Sequence, residues 1–238
     1  MKLSTHLSVV IPSKNEEDYI LTTLKSLNEQ CGTRGLQVFI ADSSTDSTVE
    51  KIYQFMASPE NHLAITVVPG GLPSEARNNG AWYTRTPYVL FLDSDMFFKE
   101  RKHLYREFNQ MLKSSLELVT CSFRTTSRFY SFSYSIFEIF QRFISKSEPF
   151  AVGGYMMFKK EAFDRVGGFN ERDKFAEDFS LSRKIDPAKF EITHRKIYTS
   201  PRRLQSKGLI YMTKLMVKTW IKRNQPAHYQ EDHGYWNK

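Results

Sequence analysis

The chain has 238 residues, 40% hydrophobic and 25% charged, so it can bury a full core without staples and is neither disordered nor fibrous in composition. Its longest run free of charged side chains, Asn61 to Ser74, holds two glycines and two prolines, which leaves no segment suited to span a bilayer as a helix. The formal net charge of +8 favours anionic partners: nucleic acid, lipid head groups or phosphorylated small molecules. Cys31 and Cys121 do not make a disulfide framework or a zinc site. Met1 to Val10 lacks the apolar region and cleavage site of a secretory leader. The expectation is a reducing, cytoplasmic setting.

In chain order, Leu7–Ile11 is a β-branched apolar run closed by Pro12, a buried strand. Glu16–Leu27 repeats Ile20, Leu21, Leu24 and Leu27 at helical spacing. Leu36–Ala41 is a second strand, and Asp46–Met56 a helix with Asp46 as N-cap. Leu63–Val68 is a third strand, Ser74–Tyr83 a helix and Tyr88–Leu92 a fourth strand. Continuous apolar strands alternating with helices predict an α/β fold with a mostly parallel sheet flanked by helices. Ligands of such sheets bind beyond the carboxyl ends of the strands. After Met96 the pattern predicts helices over His103–Lys113, Lys160–Val166 and Lys174–Ile185, strands over Glu117–Phe123, Gly153–Phe158 and Phe190–Ile197, and a long helix over Leu204–Arg223.

Asp93-Ser94-Asp95 directly follows the fourth strand. Carboxylates two apart on an extended segment point the same way, which suits Mg²⁺ or Mn²⁺ shared with substrate phosphates; a turn with Asp as a helix cap fits the same residues. Glu177-Asp178 opens a helix, where acids complement the macrodipole or where one serves as a general base. Asp42 ends the second strand as an Asx-turn former or as a carboxylate for a base or ribose. Arg77 and Asn78 can hydrogen-bond phosphate or the aspartates, or simply be exposed helix polar residues.

The order and spacing of these segments carry more than each alone. LSVVIPSKNEEDYI, VFIADSSTDST, SEARNNGAWYTRTPYVLFLDSDMFF and AVGGYMMFKKEAFDRVGGFNERDKFAEDFSLSRKI resemble the family-2 glycosyltransferases of GT-A fold, from about Leu7 to Ile185. The resemblance implies inverting transfer from a nucleotide-diphosphate sugar, a UDP-sugar favoured, assisted by Mn²⁺ or Mg²⁺. It places donor contacts on Pro12, Ser13, Asn15, Glu16, Asp42, Arg77, Asn78, Asp93 and Ser94, and the metal on Asp93 and Asp95. It makes Asp178, beside Glu177, the base, and sets Gly153 and Gly154 at the border of the sugar and acceptor pocket. The chain then reads as one domain over 1–238: a nucleotide-binding half (1–100), an acceptor-binding half (101–203), an amphipathic helix (204–223) and a loose tail (224–238). Many members carry two acids after the second strand; here Ala41 precedes Asp42, so base recognition rests on Asp42 and uridine preference is less firmly signalled. No processive Gln-x-x-Arg-Trp motif follows Glu177-Asp178, which points to single-sugar transfer.

Lys189–Arg223 holds ten Lys or Arg against one acid, Glu191. Within it, Arg202 and Arg203 suit a diphosphate or acceptor phosphate, or a solvated turn. His194 is either a further phosphate or metal contact or a structural residue. Lys207, Lys214, Lys218 and Lys222 form a stripe beside an apolar helix face. Nine Phe or Tyr crowd Cys121–Phe150, where Phe132, Ile136, Phe140 and Phe143 follow helical spacing. Membrane surface, dimer partner and internal core each explain these faces; peripheral membrane contact, on the inner face of the cytoplasmic membrane, is the expectation. The acceptor expected is a cell-envelope glycan or lipid-linked hydroxyl, with a polyprenyl phosphate or a non-catalytic basic binding module as alternatives. No nucleic-acid motif is present.

Overall fold

The computed structural model describes residues 2–234, apart from the side chain of Arg128. Among these residues the elements are β1 (Leu7–Ser13), α1 (Ile20–Asn28), β2 (Gln37–Asp42), α2 (Thr48–Ala57), β3 (Ala64–Pro69), α3 (Pro73–Tyr83), β4 (Tyr88–Leu92) and β5 (Met96–Phe97). The second half continues with α4 (His103–Lys113), β6 (Leu118–Arg124), α5 (Arg128–Ile144), β7 (Tyr155–Lys159), α6 (Lys160–Arg165) and α7 (Glu177–Ser182). It ends with β8 (Phe190–Thr199), α8 (Arg202–Lys207), α9 (Leu209–Ile221) and α10 (Pro226–Gln230).

The strands form one sheet in the order β3-β2-β1-β4-β7-β6-β8-β5. Alternation along β1 explains why both faces are covered. Val9 and Ile11 join Ile20, Leu24 and Ile52 in the core under α1 and α2, whereas Val10 joins Ala76, Ala81 and Phe163 in the core under α3 and α6. Burial on both faces is why these strands read as continuous apolar runs. Gly80 lets α3 lie close on β1, because a Cβ there would come within 2.3 Å of Val10 Cγ1.

The sheet is mostly parallel, as expected: four of its seven strand pairings are parallel, and the antiparallel ones lie in its second half. β3, β2, β1 and β4 are parallel, as are β6 and β8. β7 runs antiparallel to both β4 and β6, and β5 antiparallel to β8. The reversal begins at β7, beside Asp93.

Three expectations are corrected. The helix expected over Lys174–Ile185 is confined to α7, because the N–H groups of Lys174 and Phe175 bond to the Tyr229 carbonyl (2.7 and 3.1 Å) and Ala176 is left-handed at φ 49°. The helix expected over Leu204–Arg223 is broken at Gly208, whose φ of 79° and ψ of 153° only glycine adopts easily. The stretch after Arg223 is no loose tail in its described part: α10 packs against the loop before α7 with His228 and Tyr229 buried. Residues 235–238 of that tail lie outside the described residues.

Candidate active site at the strand ends

The carboxyl ends of β1, β2 and β4 converge, with Ser13 registered against Asp42 and the Asp93 N–H donating to the Gly154 carbonyl (3.2 Å). The loop after β1 is built tightly. Asn15 takes a left-handed φ of 55°; its N–H donates to Ser44 Oγ (2.8 Å) and its Oδ1 accepts from the Thr45 N–H (2.9 Å). Asp42 accepts from the N–H and hydroxyl of Ser44 (2.8 and 2.9 Å), the Asx turn foreseen for it. The Glu16 N–H donates to Thr48 Oγ1 (2.8 Å), while its Oε2 and the Ser13 hydroxyl are buried without a partner. Pro12 is paired with Ala41 in the sheet.

Arg77 is the hinge of the site. It is buried on α3, and its guanidinium donates to Asp93 Oδ1 (2.8 Å) and to Glu177 Oε1 (2.6 Å). One side chain thus joins the acid pairs that follow β4 and open α7. The Phe169 ring lies against it, 5.3 Å from the guanidinium carbon. Burial opposes its charge, but Asp93, Glu177 and Asp178 prevail and hold it protonated above its ordinary range. Asn78 points elsewhere. Its amide exchanges two hydrogen bonds with the backbone of Phe169 (2.9 and 3.0 Å) and reaches Glu171 (3.0 Å), so it braces the loop that carries that ring.

Asp178 accepts from the Gly153 N–H at 2.6 Å and from its neighbour Phe179 N–H at 2.7 Å. Burial first, and then the charge of Glu177, push its carboxyl up to about 7, against the Gly153 bond and Arg77. Gly153 is needed for this arrangement, since a Cβ there would sit 2.8 Å from the Arg77 guanidinium and 3.3 Å from Asp178 Oδ2. A Cβ on Gly154 would come within 2.0 Å of Met96 Cε.

On the other side, Ser94 is fixed by the Thr23 hydroxyl donating to its carbonyl (2.6 Å). Burial pushes Asp95 up to about 6; Arg202 opposes this, and the charges of Asp93 and Glu16 add to it. Arg202 donates to Glu16 Oε1, lies 3.5 Å from Asp95 Oδ2 and stacks over Tyr19 at 4.7 Å. Arg203 also acts on Asp95 through its charge. The charges of Asp93 and Glu16 thus bear on Asp95, Glu16 keeps an unpartnered buried oxygen, and hard carboxylate oxygens of this kind are the donors that Mg²⁺ or Mn²⁺ takes. Sequence reasoning missed Thr23, Thr48, Tyr19 and Phe169, whose partners in the site lie 32 to 183 positions away and leave no local signal.

His194 stands exposed on β8, where the register against β6 shifts between Thr120 and Ser122, away from the strand-end acids. A separate group, His103, Glu107 and Cys121, is sealed in the core between α4 and β6. Burial pulls His103 down to about 4, so it is uncharged near neutrality, and pushes Glu107 up to about 7.

The family model described as Glycosyl transferase family 2 matches residues 8–167. The chain is 37% identical over 93 residues to a poly(ribitol-phosphate) beta-glucosyltransferase of Bacillus spizizenii, covering 37% of this chain and 14% of that protein. It spans less than half the length of each of the curated relatives it matches. Among solved structures, it superposes on a mannosyltransferase, PcManGT, from Pyrobaculum calidifontis in complex with GDP-Man and Mn²⁺ with a TM-score of 0.68 at 20% identity, over 90% of this chain and 64% of that one. It superposes on S. aureus TarS 1-349 in complex with UDP with a TM-score of 0.61 at 18% identity, over 97% and 68%.

Proposed function

The chain belongs to glycosyl transferase family 2, and from that premise we propose that it moves a single sugar, with inversion, from a nucleotide-diphosphate donor to a hydroxyl of a cell-envelope glycan or lipid-linked acceptor. One observation carries the reading: Arg77 ties Asp93 to Glu177, and the Gly153 N–H holds the adjacent Asp178. Donor-side and acceptor-side acids thereby share one rigid network, as a displacement with the base and leaving group on opposite sides requires.

In this reading Asp42, Asn15 and the loop after β1 receive the nucleoside, and Asp93 and Asp95 hold the cation. A bound Mn²⁺ or Mg²⁺ would neutralise charge on the departing diphosphate. Arg202 and Arg203 offer further positive charge to the phosphates. Asp178, with a proton affinity near neutrality, takes the proton of the incoming hydroxyl. Its two backbone donors fix the carboxylate, and Arg77 keeps Glu177 paired so that the second acid does not compete for that proton. The relative named for poly(ribitol-phosphate) supports a polymer acceptor, and the solved neighbours hold GDP-Man in one case and UDP in another, so the donor base is what the titration has to separate.

Titration calorimetry with UDP, GDP, CDP and dTDP, each with Mn²⁺ and with EDTA, tests this on wild type and Asp95→Asn. The expected result is Mn²⁺-dependent binding of UDP, lost in the variant. If no nucleotide binds, the transferase reading falls and a basic binding module takes its place.

A further inference from the structure

The transfer chemistry makes no use of the outer faces of α5 and α9. On α5, Phe129, Phe132, Ile136, Ile139 and Phe143 recur every three or four residues, and each is more than half exposed. On α9, Ile210 and Ile221 are 74% and 69% exposed, with Lys214 and Lys218 also facing solvent. Of the three occupants the sequence allows, an internal core is thus excluded for these side chains. Apolar faces of this extent mark a contact surface.

The charge around them selects the partner. α9 contains lysines and no acid. The one acid of α5, Glu138, turns inward to Ser122 (2.7 Å) and to Arg124 and Arg142 (2.9 Å each). Apart from Thr213, the described side chains that these helices expose are apolar or cationic, which complements an anionic sheet of head groups. A second copy would bring the same apolar and cationic faces, with no acid to answer the lysines. We propose that α5 and α9 dock the protein on an anionic lipid bilayer, their apolar side chains entering the head-group boundary while the lysines reach lipid phosphates.

The two helices are joined through a ring stack that reaches the site. Phe137 meets Phe150, Phe150 meets Phe179, and Phe179 meets Trp220 of α9, with centroids 5.8, 4.6 and 6.2 Å apart. Phe179 directly follows Asp178. Docking would therefore set Asp178 near the bilayer and favour a lipid-borne acceptor, a consequence that, unlike the docking itself, rests on the transferase reading.

Co-sedimentation of the full chain with vesicles of phosphatidylcholine, alone or mixed with phosphatidylglycerol, tests the proposal. Binding to the mixed vesicles only, weakening as salt is raised, is expected. The paired change Lys214→Gln with Lys218→Gln should weaken binding about thirtyfold, and Phe132→Ser with Ile139→Ser should reduce it to the level of neutral vesicles. Unchanged thermal midpoints and nucleotide titrations would show that both variants remain folded; a wild type that sediments with vesicles but binds no nucleotide would sink the transferase reading and leave docking standing. The proposal is overturned if wild type ignores anionic vesicles or if either variant binds them like wild type. It is equally overturned if light scattering shows a dimer that the Phe132 and Ile139 changes dissolve, which would assign the face to a second copy.

Discussion

Asp178 and Arg77 set the chemistry at the scale of single side chains. Because burial and Glu177 push Asp178 up to about 7, its proton-accepting form is scarce in acid and dominant above neutrality. The sign follows directly: kcat/KM should rise with pH through about 7 and level off above it. Asp178→Asn should remove that limb and cost on the order of 10²–10⁴ in turnover, with donor affinity in calorimetry close to wild type. Only a mild loss would favour an acceptor that is already anionic, such as a polyprenyl phosphate. Arg77 acts differently, since its guanidinium bonds both Asp93 and Glu177 and so holds the two together. Arg77→Met would strand the buried carboxylate of Glu177, and the half-buried one of Asp93, without their counter-charge, and the loss of a buried partner costs about 3 kcal/mol or more. Urea unfolding should show this as a lower midpoint with an unchanged slope.

Among the elements, the junction of α8 and α9 depends on Gly208. Its backbone lies in a region that side chains avoid at a cost of about 1–3 kcal/mol. Gly208→Ala should therefore lower the thermal midpoint, or fuse α8 and α9 into one helix and raise the helical signal in circular dichroism; an unchanged melt and spectrum would contradict the strain argument. The same junction shows what sequence alone conveys. Strands β1, β2 and β4 were legible because burial on both faces forces an unbroken apolar run, and the outer face of α5 because its ring spacing follows the helical period. The break at Gly208 was not, since apolar spacing continues across it. Nor was the brevity of α7, which is set by the Tyr229 carbonyl more than fifty positions away. In the site, Asp93, Asp95, Glu177 and Asp178 stood out as spaced acid pairs at element ends. Asn78 matched the same motif, yet its contacts are with the Phe169 backbone, a role that no spacing rule separates from ligand binding.

On the scale of the molecule, the strand-end site is closed by a residue from the far end of the fold. Arg202 follows β8, which the sheet places four positions from β1, yet its guanidinium lies on Glu16 and beside Asp95. It occupies the neighbourhood in which a cation would have to satisfy the same oxygens. Two positive charges sharing those carboxylates oppose each other, so cation and Arg202 should compete until a diphosphate arrives to accept the arginine. Removing the arginine charge then separates the two roles. With Arg202→Gln, Mn²⁺ alone should bind more tightly than to wild type, because Asp95 and Glu16 lose their counter-charge. UDP in the presence of Mn²⁺ should bind more weakly, because a phosphate contact worth about 1–3 kcal/mol as a charged hydrogen bond is gone. Calorimetry of Mn²⁺ alone and of UDP with Mn²⁺ resolves both. Opposite shifts support an arginine that passes from carboxylates to phosphate as the donor binds, while weaker binding in both titrations would mean that Arg202 only braces the loop after β1.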